Sequence, residues 1–199
     1  MPSLFPPAMP AGALSAAPQP TIAVQAIALL RPWILDDAAA VVEAFDDPAI
    51  RRWHVARADS IDEALELIAR WQSGWAKESE CNWAVVDPDD EVLLGRIALK
   101  GLNLLDATAE VAYWMCPTSR GRGVCTQAVV TLSQWAFRCA GFHRLELDHS
   151  TSNPASCRVA VKSGFRAEGI RRGAALHADG WHDMHVHARL SDDDARPET

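Results

Sequence analysis

The segment from Ala109 to Asp148 constrains the fold more than any other, because it reads as strand, glycine loop, helix and strand in unbroken succession. Ala109 to Cys116 is apolar and ends at Pro117. Thr118-Ser119-Arg120-Gly121-Arg122-Gly123-Val124-Cys125 then leads into a helical pattern from Thr126 to Cys139, which Gly141 stops, and a strand runs through Leu145-Glu146-Leu147-Asp148. The glycines let backbone N–H groups approach a ligand, the helix N-terminus adds positive potential, and Arg120 and Arg122 can add charge-assisted contacts. That combination is fitted to a pyrophosphate. A solvated turn would carry the same residues, so the loop alone decides nothing.

Around this centre the pattern supplies the rest of one domain. Thr21 to Leu30 is apolar and suits an opening strand, broken by Arg31-Pro32 before a helix from Asp36 to Phe45. Ser60-Ile61-Asp62-Glu63 is a capping box, and Ile61, Ala64, Leu65, Ile68, Trp71 and Trp75 follow at helical spacing to about Lys77. Asn82 to Asp87 and Glu91 to Lys100 flank the turn at Pro88-Asp89-Asp90 and read as two antiparallel strands. Asn153-Pro154 opens a short helix ending near Gly164. Two last strands, Phe165 to His177 and Trp181 to Leu190, meet at Asp179-Gly180. The economical architecture is α/β of the α+β type, a mixed and mostly antiparallel sheet of about seven strands with helices on both faces.

Three domain segments are expected: residues 1–20 as a flexible Pro/Ala-rich leader, 21–190 as the folded domain and 191–199 as a flexible charged tail. The leader lacks the basic start and unbroken apolar run of a secretory signal. No stretch approaches the roughly 20 apolar residues needed to span a bilayer, which predicts no membrane partner. A formal charge of −7 argues against a nucleic-acid binder built on Arg120, Arg122, Arg171 and Arg172. Five scattered cysteines without a CxxC pair suggest reduced thiols in a cytoplasm.

A second motif gives the loop its meaning. About 30 residues on stand Asn153-Pro154-Ala155-Ser156, Val159-Ala160 and Gly164-Phe165, and the chain ends its folded part with Glu168-Gly169 and Asp179-Gly180-Trp181 through Asp183. With the Arg-x-x-Gly-x-small loop at Arg120 to Cys125, these residues resemble the GNAT acetyltransferases, and within them the ribosomal-protein alanine (RimJ/RimL-like) branch, over most of Thr21 to Leu190. The resemblance implies a V-shaped splay between the two central strands and acetyl-CoA as co-substrate. It further implies that backbone groups at Trp114, Met115 and Cys116 hold the pantetheine arm while the amides of Arg120, Gly121, Arg122, Gly123, Val124 and Cys125 hold the pyrophosphate. Cys125 stands where that family usually has Gly or Ala.

The implied reaction moves an acetyl group to a primary amine, either a protein N-terminal α-amine or a small molecule. Asn153 would orient the cofactor, and Ser156 would lie near its sulfur as donor or acid, unless it only satisfies the helix start. Tyr113, the only tyrosine, is a second acid candidate or a core residue. Glu110, on the strand bordering the thioester, is the base candidate, with Asp148 and His149 in reserve. Trp53 and His54 are the candidates for touching the acceptor; Trp33, Trp71, Trp75 and Trp83 read as core. His177, His182, Asp183, His185 and His187 form a conspicuous group, of which Asp183, His185 and His187 share one strand face, but no metal is expected. A catalytically silent CoA-binding module is the alternative function, and exposed edge strands leave room for a homodimer.

Overall fold

The computed structural model describes residues 4–193. Eight strands form one sheet in the order β1-β2-β3-β4-β5-β6-β8-β7. They are β1 Ile22–Val24, β2 Ala28–Pro32, β3 Glu80–Val86, β4 Leu93–Asn103, β5 Thr108–Met115, β6 Arg144–Ser150, β7 Arg166–His177 and β8 Gly180–Leu190. The helices are α1 Ala38–Phe45, α2 Pro48–Trp53, α3 Ile61–Ala76, α4 Val124–Trp135 and α5 Pro154–Lys162. The mostly antiparallel α/β architecture is as expected, with one more strand than the seven read from the sequence. The single opening strand is in fact a hairpin, since the chain reverses at Gln25, which adopts φ 50°, and pairs Ile22 with Leu30.

Side-chain alternation along the strands builds a core on each face. Trp83 and Val85 of β3 pack with Val111, Met115, Leu132 and Leu147 beneath α4 and α5. Ala84 and Val86 pack on the other face with Trp33, Val41, Phe45, Ile68, Trp71 and Trp114, beneath α1 to α3. Ser60 caps α3 through the Glu63 N–H at 3.2 Å. Glu63 bonds back one residue earlier than a capping box requires, to the Asp59 N–H at 2.6 Å. α4 widens into a π-turn at Ala136–Ala140 and ends at Gly141 with φ 90°.

The opening segment is the main correction. Expected to be a loose leader, residues 8–20 are anchored to the body. Met9 and Leu14 are buried, and the N–H groups of Ala8 and Met9 bond to the carbonyls of Leu105 and Leu104, each at 3.0 Å. Glu78 accepts the N–H groups of Gly12, Leu14 and Ser15 at 2.7, 2.7 and 3.1 Å. The indoles of Trp75 and Trp83 donate to Ala17 O and Pro20 O at 2.9 and 2.8 Å. Local composition overstated the entropic cost because these partners lie far along the chain, from 58 residues away at Trp75 to Leu104 and Leu105 farther still. At the other end Ser191 N bonds His143 O at 2.9 Å and Leu190 N bonds Asp193 at 2.8 Å. The rest of the expected tail, 194–199, and residues 1–3 lie outside the described residues.

Glu78→Ala removes three charge-assisted hydrogen bonds at once and is expected to cost about 1–3 kcal/mol. It should also open residues 8–17 to limited proteolysis. Protection equal to the parent's would mean that the indole bonds, the Ala8 and Met9 backbone bonds and the burial of Met9 and Leu14 hold the segment without Glu78.

Candidate active site

β5 and β6 run parallel and are paired only at Thr108↔Arg144, Ala109↔Leu145 and Glu110↔Glu146. Beyond Glu110 they part, and a cleft of about 910 Å³ opens between them. Cys116 N bonds Leu94 O at 2.9 Å, so that residue's polar backbone is directed at β4. By strand alternation, those of Met115, Tyr113 and Val111 are directed at the opening, where no strand receives them. The sequence implied this splay, and the structure has it.

The glycine loop sits at the carboxyl end of β5. Gly121 and Gly123 have φ 74° and 82°, a region glycine adopts at little cost. No atom lies within 4 Å of where a Cβ would stand on either, so both face open space. The N-terminal amides of α4 follow directly. Gly121, Gly123, Val124 and Cys125 line the cleft, together with Tyr113, Trp114 and Met115, although the polar backbone of Trp114, expected to hold the pantetheine arm, is directed at β4 by the same alternation.

Other members of the expected binding set are placed differently. Arg120 lines the cleft, but its guanidinium is engaged with Asp47 at 2.8 Å and with Met115 O at 3.0 Å. Arg122 is exposed and lies outside the lining. Cys116 also lies outside it, packed against the core beneath α1 to α3, where burial pushes its thiol up to about 11. Burial pushes the Cys125 thiol up to about 12, so it behaves as a small apolar filler. The indole of Trp114 lies in the same core as Cys116, 5.8 Å from Phe45.

Asn153 caps α5 by accepting the Ser156 N–H at 3.2 Å. The helix start is thus satisfied by Asn153, and Ser156 presents its side chain to the cleft. Beside it the Tyr113 hydroxyl is buried, with no partner in hydrogen-bond geometry, and burial raises its pKa well above the usual phenol value. Tyr113 and Ser156 are therefore brought together, with Tyr113 protonated. Glu110 lies on the opposite sheet face by the period of two, still at the cleft wall, and pairs with Lys100 at 2.8 Å. Of the reserve bases, Asp148 is paired with Arg171. His149 is held by Ser150 O at 2.8 Å.

Trp53 and His54 line the cleft from the end of α2, a helix that the sequence pattern did not reveal. Facing them are Ala175, Leu176 and His177 of the β7–β8 hairpin, whose Asp179 pairs with Arg52 of α2 at 3.1 Å. Trp53 lies edge-on to His177 and His182 at 5.5 and 5.9 Å. Lys100 and this hairpin wall were not anticipated. The hairpin's turn at Asp179-Gly180 and its histidines were legible in the sequence but its place against α2 was not, and the histidines divide into two sets. His177 and His182 belong to the cleft mouth, while His185 and His187 lie with His149 and Cys157 on the face beneath α5.

Residues 28–166 match the acetyltransferase (GNAT) domain family. The chain is 30% identical to the ribosomal-protein-serine acetyltransferase of Escherichia coli over 121 residues, 61% of this chain and 64% of that protein. Its fold superposes on the microcin C7 self-immunity acetyltransferase MccE, solved with acetyl-CoA and AMP, at TM-score 0.80 and 18% identity, covering 88% of this chain and 98% of the other. RimL, a ribosomal alpha-N-protein acetyltransferase solved with coenzyme A, gives 0.78 at 18% identity, covering 86% and 98%. The chain belongs to the GNAT family and is an N-acetyltransferase.

His54 gives the site a pH signature. Burial first, then the nearby charges of Arg96, Lys100 and His177, push its pKa from 6.5 to about 4 against a contact with the Tyr113 backbone. The unfolded chain binds this proton below 6.5 and the folded chain only near 4. Stability from this group is therefore complete above pH 6.5 and falls as pH drops through that window, by up to roughly 3 kcal/mol. Urea denaturation across this range should show the fall, and His54→Gln should flatten it. A slope unchanged by the substitution would mean that the ring is not shielded from water.

Proposed function

We propose that the protein transfers the acetyl group of acetyl-CoA to the N-terminal α-amine of a protein or peptide. The observation that carries this reading is the gap beyond Glu110, where no strand receives the backbone N–H groups of Val111, Tyr113 and Met115, beside the open glycine loop; Met115 O is taken by Arg120 and the Tyr113 backbone touches His54. Buried N–H and C=O groups need partners, and an extended pantetheine amide chain supplies them while its pyrophosphate meets the amides from Gly121 to Cys125. Residues on this chain fit the co-substrate without Arg122, and Arg120 acts by fixing the loop to Asp47 and Met115 O.

Acetyl-CoA brings the thioester; the protein brings alignment and proton handling. A backbone N–H of β5 polarises the acetyl carbonyl and holds the oxyanion as the amine adds. Tyr113, neutral and buried, and Ser156 beside it supply the proton that the departing thiolate requires. Glu110 takes the proton lost by the amine, with Lys100 setting the carboxylate's position, and the uncharged His54 offers an acceptor where the amine enters. A peptide acceptor is favoured by the cleft mouth between α2 and the β7–β8 hairpin. It exposes apolar Val55 and Leu176 at 94% and 59%, in place of an enclosed pocket for one small molecule. The kinship with the ribosomal-protein-serine acetyltransferase points the same way. The five free cysteines suit a reducing cytoplasm.

Calorimetry with acetyl-CoA should show one site, and thiol release should be fastest with peptides starting in Ser or Ala, above polyamines and aminoglycosides. Release on a small amine alone would overturn the acceptor assignment; binding without release on any acceptor would favour a silent CoA-binding module. Gly123→Glu, which forces a side chain into the left-handed region and a negative charge into the loop, should abolish binding. Ser156→Ala should lower kcat at least about tenfold with affinity nearly unchanged, and a full-rate variant would leave Ser156 a structural role only.

A further inference from the structure

We propose that His149, His185, His187 and Cys157 form a binding site for a divalent transition metal of the zinc class, on the sheet face beneath α5. One ligand atom from each of the four residues lies within 4.8 Å of all the others. The geometry follows from register: His149 of β6 sits opposite His185 of β8 and Leu147 opposite His187, so three imidazoles share one face, and α5 lowers Cys157 onto them.

The nitrogens are arranged for a cation better than for protons alone. His149 Nδ1 lies 2.8 Å from Ser150 O, which can only accept, so Nδ1 carries the hydrogen and Nε2 presents its lone pair. That Nε2 lies 3.2 Å from His187 Nε2. Were the contact a plain hydrogen bond, His187 would donate from Nε2 and be left with a lone pair on Nδ1. That atom is buried without a hydrogen-bond partner, beside the Phe165 backbone. With a cation between the rings both Nε2 lone pairs are used, and His187 Nδ1 can carry its hydrogen toward the Phe165 backbone, as His149 does toward Ser150. A second donor contact of this kind is how metal-bound imidazoles are usually oriented.

The spacing agrees. Metal–nitrogen bonds of about 2.0–2.1 Å at a tetrahedral centre put neighbouring nitrogens about 3.3 Å apart. Three imidazoles and a thiolate select zinc-class ions over magnesium or calcium, which prefer oxygen. Acetyl transfer needs no metal, so the ion's role is to pin α5, and with it Ser156, to β6 and β8.

The test uses the full chain, stripped with chelator and titrated with Co2+, then Zn2+. One equivalent of Co2+ should give the intense visible bands of a four-coordinate ion and a thiolate-to-cobalt charge-transfer band, both displaced by Zn2+, with a rise in Tm. Cys157→Ser should lose the charge-transfer band, and His185→Gln should weaken Zn2+ binding at least tenfold. The pale spectrum of six-coordinate cobalt, binding that survives both substitutions unchanged, or no binding would overturn the site. The parent spectrum decides even if a variant fails to fold, and it does so whether or not the acetyltransfer assay succeeds.

Discussion

The molecule is organised by a parallel strand pair in the middle of a sheet whose other neighbours are antiparallel. Parallel neighbours cannot be joined by a hairpin; the chain must cross over one face and return, which here means the glycine loop, α4 and the π-turn. The crossover begins at the carboxyl end of β5, where the two strands separate. The loop with its left-handed glycines and the α4 amides is therefore delivered to the mouth of the gap by the connection that the parallel pair requires. A ligand site at the carboxyl edge of the strands follows from topology before any side chain is chosen.

Opening a sheet at its centre forfeits pairing across the gap, so each half must hold together by other means. β1 to β5 are clamped between two cores, with Trp33, Trp71 and Trp114 on one face and Trp75, Trp83 and Trp135 on the other. β6 is tied to β8 over the whole of Arg144–Ser150. Leu145 and Leu147, both fully buried, join that half to the Val111 and Met115 side through the shared core under α4. Removing either leucine side chain would be expected to cost about 2–5 kcal/mol, which measures how much apolar packing replaces the missing ladder.

What the sequence revealed was what local pattern encodes. Strand periods, the Ser60 and Asn153 caps, the Asp179-Gly180 turn and the order around Gly121 and Gly123 all depend on residues a few positions apart, and they placed most elements within a few residues. Long-range partnerships were not legible. Nothing near Gly12 announces Glu78, and nothing in Arg120 says that its charge is spent on Asp47. Asp183, His185 and His187 could be put on one face of β8 by counting in twos. The register that adds His149, and the helix that adds Cys157, are properties of the folded sheet. Gln25 hid the first hairpin because a non-glycine residue at positive φ gives no warning in a pattern of apolar residues.

The start of α5 shows how these layers meet. Ser156 and Cys157 are consecutive, and about 100° separates neighbours on a helix, so one faces the cleft and the other the histidines of the sheet. Their positions are set by a run of hydrogen bonds at the end of β6. Ser150 Oγ meets His182 Nδ1 at 2.7 Å and accepts Ser152 N at 3.1 Å; Ser150 O accepts Asn153 N at 2.8 Å, and Asn153 in turn caps Ser156 N. His182 belongs to the same hairpin whose His177 packs on Trp53 at the cleft mouth. The fold thus connects the cleft mouth to the start of α5, which carries Ser156, through half-buried hydrogen bonds at the ends of strands and helix.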